Sequence, residues 1–88
     1  MITIQIRLFA AHRDIVGRPE LTLIQPAGAT LGEVWAQLVA DHPPLARYTG
    51  RLLFAVNQQF ADPTTVLHDG DEVAFIPPVS GGTAVTTN

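Results

Sequence analysis

One apolar stripe dominates this sequence. Leu31, Val34, Trp35, Leu38 and Val39 recur at i, i+3, i+4, i+7 and i+8, the repeat that lines one face of an α-helix. Thr30 and Glu33 have the spacing of a capping box, in which each side chain satisfies a free backbone N–H of the first turn. Pro43-Pro44 stops the helix, because the residue before a proline is pushed out of the helical region. A helix with one apolar face must bury it, and the rest of this 88-residue chain offers mainly strand patterns as partners.

Ile2, Ile4, Ile6 and Leu8 alternate with Thr3, Gln5 and Arg7, which is the period of a half-buried strand. Phe9 follows on the side expected to be wet. Ala10 to Val16 reads as a short helical turn closed by Gly17. Pro19 to Gln25 alternates again through Leu21 and Leu23, so the first two strands form a hairpin with a long connection. Pro26 to Ala29 breaks the pattern ahead of the helix. Pro44 to Thr49 reads as a turn or helical loop ended by Gly50. Leu52 to Asn57 is apolar on both faces and is expected to be an interior strand. Gln58-Gln59 turns it into a short segment around Phe60, and 61–71 is irregular, with a tight turn at Asp69-Gly70-Asp71. Glu72 to Ile76 is the last strand, with Val73 and Phe75 on one face and Ala74 and Ile76 on the other.

The expected fold is α+β: a mixed sheet of four to five strands with one main helix packed on one face. The first and last strands lie parallel at its centre, each hairpin partner outside, in a β-grasp arrangement. Residues 1–78 form the domain, and 79–88 are expected to be a mobile tail.

Composition removes most side-chain chemistry. Apolar residues make up 47% of the chain, enough for a core without staples. There is no Cys, hence no disulfide, thiolate metal site or thiol nucleophile. All five cationic side chains are Arg, so a Walker lysine and a Schiff base are excluded too. Eight acids give a net charge of −3, which argues against nucleic acid. The longest unbroken apolar run, Leu52 to Val56, is too short to cross a membrane. Met1 runs into a strand with no signal-peptide pattern, so a cytoplasmic protein is expected. His12, His42 and His68 lack ligand spacing, and no metal site is expected. Asp69 and Asp71 lack the rest of a calcium loop. Ser80 has no base fixed near it. Trp35 shares the helix stripe and is expected in the core.

The informative segment runs from Asp69 to Gly82. A strand delivers Pro77-Pro78, then Val79-Ser80, then Gly81-Gly82. Proline favours an extended path, so the tail is held off the body. From Pro77 to Gly82 an extended chain reaches roughly 20 Å. Two residues without side chains can thread a narrow channel, although Gly-Gly alone also fits an ordinary flexible tail.

The flanking residues bear on that choice. Leu8-Phe9-Ala10 with Arg13 and Gly17, then Leu53 and Ala55 through Gln58, and above all Asp69 through Gly82, closely resemble the small subunits of molybdopterin synthase (the MoaD family). These are ubiquitin-like sulfur carriers, and the likeness spans almost all of 1–82. The thiamine-pathway carriers share the Gly-Gly end but lack the Phe-Ala-x-x-Arg and Pro-Pro-Val-Ser stretches.

The resemblance implies a carrier subunit with no bound cofactor of its own. An E1-like adenylyltransferase using ATP and magnesium would adenylate the Gly82 carboxylate. A sulfur donor enzyme would then convert it to a thiocarboxylate. Pro77, Pro78, Val79, Ser80 and Gly81 would thread into the large synthase subunit, where sulfur passes to cyclic pyranopterin monophosphate. Two small and two large subunits would make a heterotetramer. Phe9, Phe60 and Ile76 are candidates for an exposed apolar partner-binding patch beside the tail, or else are merely half-buried. Arg13 occupies a family position that contacts a partner. Service to thiamine synthesis or tRNA thiolation stays open.

The chain departs from the family in continuing past Gly82 with Thr83-Ala84-Val85-Thr86-Thr87-Asn88. Only a free Gly82 carboxylate can be adenylated. Three readings follow: a processing protease removes these residues, the tail is retained on a non-carrier binding module, or the extension is an artefact or fusion remnant.

Overall fold

The structure is a computed structural model that describes residues 1–78. Strand β1 (Ile2–Leu8) leads into a short helix α1 (Ala10–Val16), and β2 (Glu20–Gln25) returns beside β1. Helix α2 (Leu31–Asp41) follows, then a 3-10 helix over Pro43–Tyr48. Strands β3 (Leu53–Val56), β4 (Gln59–Ala61) and β5 (Glu72–Ile76) complete the sheet. Its order is β2-β1-β5-β3-β4. The first and last strands are parallel neighbours at the centre, with Ile6 opposite Val73 and Leu8 opposite Phe75. Every other pairing is antiparallel. This is a ubiquitin-like β-grasp fold, the α+β architecture that the strand and helix periods predict.

The core lies between the sheet and α2. Ile2, Ile4, Ile6 and Leu8 of β1 and Val73 and Phe75 of β5 point to the helix side, where Leu31, Val34, Trp35 and Leu38 meet them. Trp35 is buried as expected, and its indole N–H donates to Thr49 Oγ1 at 3.0 Å. The capping box is formed: Thr30 Oγ1 accepts the Glu33 N–H, and Glu33 Oε1 accepts the Thr30 N–H at 2.9 Å. Leu45 and Leu67 close the ends of the core. Leu67 lies in the stretch read as irregular, and its N–H donates to Ala29 O.

Two connections differ from the sequence reading. Strand β1 ends at Leu8, so Phe9 is the N-cap of α1 and not a strand residue. The chain bends there through Ala10 at φ 46°, a left-handed conformation that favours glycine. The β3–β4 hairpin turns at Asn57-Gln58, one residue earlier than expected, with φ of 50° and 70°. That is the geometry of a two-residue primed turn, whose twist matches the flanking strands. It was hard to read because glycine, its usual marker, is absent.

Candidate functional site

The sheet face turned away from α2 carries an open groove of about 310 Å³. Strand alternation builds it. Val73 and Phe75 point into the core, so Ala74 and Ile76 point out. Ala55 of β3 lies opposite Ala74 of β5, and Phe60 of β4 lies opposite Ala55. The two small alanines form a floor, and Phe60, Phe9 and Ile76 stand around it as walls. Phe60 is 76% exposed and Phe9 39% exposed, while Ile76 is half-buried. Three residues separated in sequence are thus brought to one apolar surface. Arg7 and Glu72 close the rim, with Arg7 Nη1 3.6 Å from Glu72 Oε2. Both are partly exposed, so water screens the pair and it adds little stability.

Leu53 extends this surface and was not among the expected site residues. It lies opposite Ile76 on the outward face of β3 and is 54% exposed. The signal was its phase: Leu53 shares a face with Ala55 and not with Phe54.

The groove adjoins the root of the tail. Pro77 is buried and Pro78 exposed, so the stiff pair straddles the edge of the body. Pro77 therefore still belongs to the domain, and the chain leaves it at Pro78. Val79, Ser80, Gly81 and Gly82, expected to thread and to carry the reactive carboxylate, lie outside the described residues. So does the extension 83–88.

The other end of β5 is tightly fixed. Asp69 Oδ1 accepts the Thr3 N–H at 2.7 Å, and Asp71 Oδ2 accepts the His68 N–H at 2.8 Å. Asn57 Nδ2 donates to Asp71 Oδ1, and Asn57 Oδ1 accepts the Glu72 N–H, both at 3.0 Å. The two aspartates are therefore turn residues that accept from backbone donors and, for Asp71, from the Asn57 side chain as well. Gly70 sits between them at φ 86°, a conformation that suits glycine. Among the described residues no three His, Asp or Glu side chains are grouped to hold a metal ion. No helix there is long and apolar enough to cross a membrane.

Arg13 is exposed on α1 and does not line the groove. Its neighbour His12 is the residue that sequence reasoning undervalued. His12 is 0% exposed, with Nδ1 3.0 Å from Phe75 O. A carbonyl only accepts, so Nδ1 carries the hydrogen and donates. Nε2 is buried with no hydrogen-bond partner among the described residues. Trp35 and Tyr48 pack against the ring at centroid distances of 5.3 and 4.9 Å. Burial pushes the imidazole below the ordinary histidine range, and the Phe75 carbonyl offsets this only in part.

A β-grasp sheet whose central last strand passes an apolar groove and then leaves the body toward Gly81-Gly82 defines a small ubiquitin-like protein. The chain belongs to the ThiS family, whose model matches residues 6–82. It is 41% identical to the molybdopterin synthase sulfur carrier subunit of Chlamydomonas reinhardtii, over 90% of this chain and 98% of that one. It is 40% identical to the subunit of the same name from Mycobacterium tuberculosis, over 93% of this chain and 100% of that one. Among solved structures, SAMP1 from Haloferax volcanii superposes with a TM-score of 0.80 at 30% identity, covering 91% of this chain and 99% of that one. The likeness to molybdopterin synthase small subunits that the residues suggest is thus shown over nearly the whole domain.

Proposed function

We propose that this chain is the sulfur carrier subunit of a molybdopterin synthase and acts in molybdenum cofactor biosynthesis. The observation that carries this reading is the apolar groove of Phe9, Phe60 and Ile76 at the root of a tail that reaches Gly81-Gly82 a few residues later. The names of the relatives support the choice of pathway, since the family model alone spans more than one kind of sulfur carrier.

The chemistry belongs to one backbone carboxylate. A carboxylate is a poor electrophile. Attack of the Gly82 carboxylate on the α-phosphorus of ATP, with magnesium on the activating enzyme, expels pyrophosphate and installs AMP as a good leaving group. Sulfur delivered by a donor enzyme at the sulfide level then attacks the acyl carbon and expels AMP to give the thiocarboxylate. This soft nucleophile is carried into the large subunit, where its sulfur bonds to a carbon of cyclic pyranopterin monophosphate. Water then cleaves the acyl–sulfur bond, leaving sulfur on the pterin and restoring the Gly82 carboxylate. The carrier supplies a docking surface and a narrow tail, and its partners supply acid–base groups and metal. The groove is the surface on which the large subunit and the E1-like enzyme dock in turn, and Arg13, exposed on α1 outside the groove, is a separate partner contact. Two carriers then serve two large subunits.

Carrier function requires removal of residues 83–88, because only then does Gly82 end the chain. Protein isolated from its own cell should have the intact mass of 1–82, rising by about 16 Da when an oxygen of the carboxylate is replaced by sulfur. Gly82→Ala in the processed chain should remove synthase activity and leave the fold unchanged by circular dichroism. A native chain still ending at Asn88 that takes no sulfur from an E1-like enzyme, ATP and a sulfur donor would falsify the carrier reading. It would leave a binding module with a retained tail.

A further inference from the structure

We propose that His12 is a protonation-sensitive pin that positions the groove, holding Phe9 and the end of β5 in register while its imidazole is neutral. The inference rests on the carrier reading only for the identity of the partner that docks there.

The bend at Ala10 opposes the docking of α1. A left-handed conformation at a non-glycine residue costs about 1–2 kcal/mol, so α1 does not sit against the sheet without opposing strain. Helix α1 has only seven residues and cannot hold itself. His12 is the one fully buried residue of α1, and its Nδ1–H donates to Phe75 O, one residue before Ile76. Phe9, the N-cap of the same helix, is one wall of the groove, and Ile76 is another. The pin therefore ties together two groove walls that come from opposite ends of the chain.

Protonation breaks this arrangement. A second N–H would appear on Nε2, which is buried without an acceptor among the described residues. The elements packed on the ring offer little to receive it. From α2 comes Trp35, from the 3-10 helix Tyr48, and from β5 the Phe75 carbonyl already used. Tyr48 is the only titratable side chain among these. Arg13 and Asp14, the charged neighbours on α1 itself, are exposed. A charged ring must leave the core, and the strain at Ala10 then favours release of α1. The sign follows: the folded pKa lies below the unfolded value of about 6.5, so the stabilisation is complete above that value. It is lost as pH falls through the lowered folded pKa.

The test is an NMR titration of the full chain from about pH 8 to about pH 5, following the His12 ring and the Phe9 and Ile76 amides. Affinity for the molybdopterin synthase large subunit of the same cell is measured in parallel, both for the full chain and for the chain processed to end at Gly82. The Phe9 and Ile76 amides should shift with the midpoint of the His12 ring, while the Ile2–Ile6 amides of β1 stay put. Large-subunit affinity should fall toward about tenfold per pH unit below that midpoint. His12→Asn keeps an N–H near the Nδ1 position and does not titrate, so it should flatten both profiles. His12→Val, which fits an apolar site, should flatten them too, and either variant suffices if the other does not fold. The proposal is overturned if His12 does not titrate while the chain stays folded across this range, if it titrates while Phe9 and Ile76 do not respond, if their shifts persist in a folded variant, or if the whole fold is lost in one step. A large subunit that binds at no pH would count against the carrier reading, and the NMR titration would still decide the pin.

Discussion

At the scale of single residues, the hairpin between β3 and β4 separates two kinds of left-handed residue. Asn57 and Gln58 both have positive φ, and a primed turn requires that of both. Asn57 repays the strain: its side chain bonds Asp71 and the Glu72 N–H, tying the turn to the start of β5. The Gln58 side chain makes no hydrogen bond to another of the described residues. Gln58→Gly should therefore stabilise the chain, because relief of about 1–2 kcal/mol of strain exceeds the entropy cost of about 0.5–1 kcal/mol for glycine. The urea midpoint should rise with an unchanged slope. Asn57→Gly relieves less strain, since Asn tolerates the left-handed region, and loses two solvent-exposed hydrogen bonds worth about 0.5–1.5 kcal/mol each, so it should lower the urea midpoint where Gln58→Gly raises it. Equal effects of the two substitutions would contradict this assignment.

At the scale of elements, what the sequence made legible was whatever has a period. The stripe of α2 and the alternation of β1 and β5 follow from side chains repeating at 3.6 or 2.0 residues, and the parallel pairing at the sheet centre is read from the order of the elements. Thr30 and Glu33 announced the start of α2 by spacing alone, and both bonds are present. Thr30→Ala should cost about 1 kcal/mol, read as a lower urea midpoint, since one N–H of the first turn loses its acceptor. A cost near zero would mean that packing of Leu31 and Val34 fixes the helix start without the cap. Contacts that depend on a single residue were not legible. A lone histidine carries no period, so the burial of His12 under Trp35 and Tyr48 emerged only when α1 was laid on β5. Leu53 was missed for a related reason. A strand apolar on both faces does not show which of its residues looks outward until the pairing with β5 sets its phase.

At the scale of the whole molecule, the β-grasp sheet divides its work between two faces. One face is sealed by α2 and holds nearly all the buried apolar side chains. The other keeps Phe60, Phe9 and Leu53 open to solvent around a floor of two alanines. If the open face is the docking surface proposed above, folding energy and docking energy come from different side chains, and mutation can separate them. Phe60 offers the cleanest test, because at 76% exposure it contributes little to the core. Phe60→Asp should change the urea midpoint by no more than about 0.5 kcal/mol equivalent, the usual range for surface positions. The same change would place a charge in the apolar centre of the proposed interface. Loss of a buried aromatic there costs about 2 kcal/mol or more, so affinity for the large subunit should fall at least about thirtyfold at unchanged stability. Isothermal titration beside urea denaturation measures both quantities on one sample. An unaltered affinity would place the docking surface elsewhere. A large drop in stability with it would make Phe60 a residue of the fold and remove the groove from the functional argument.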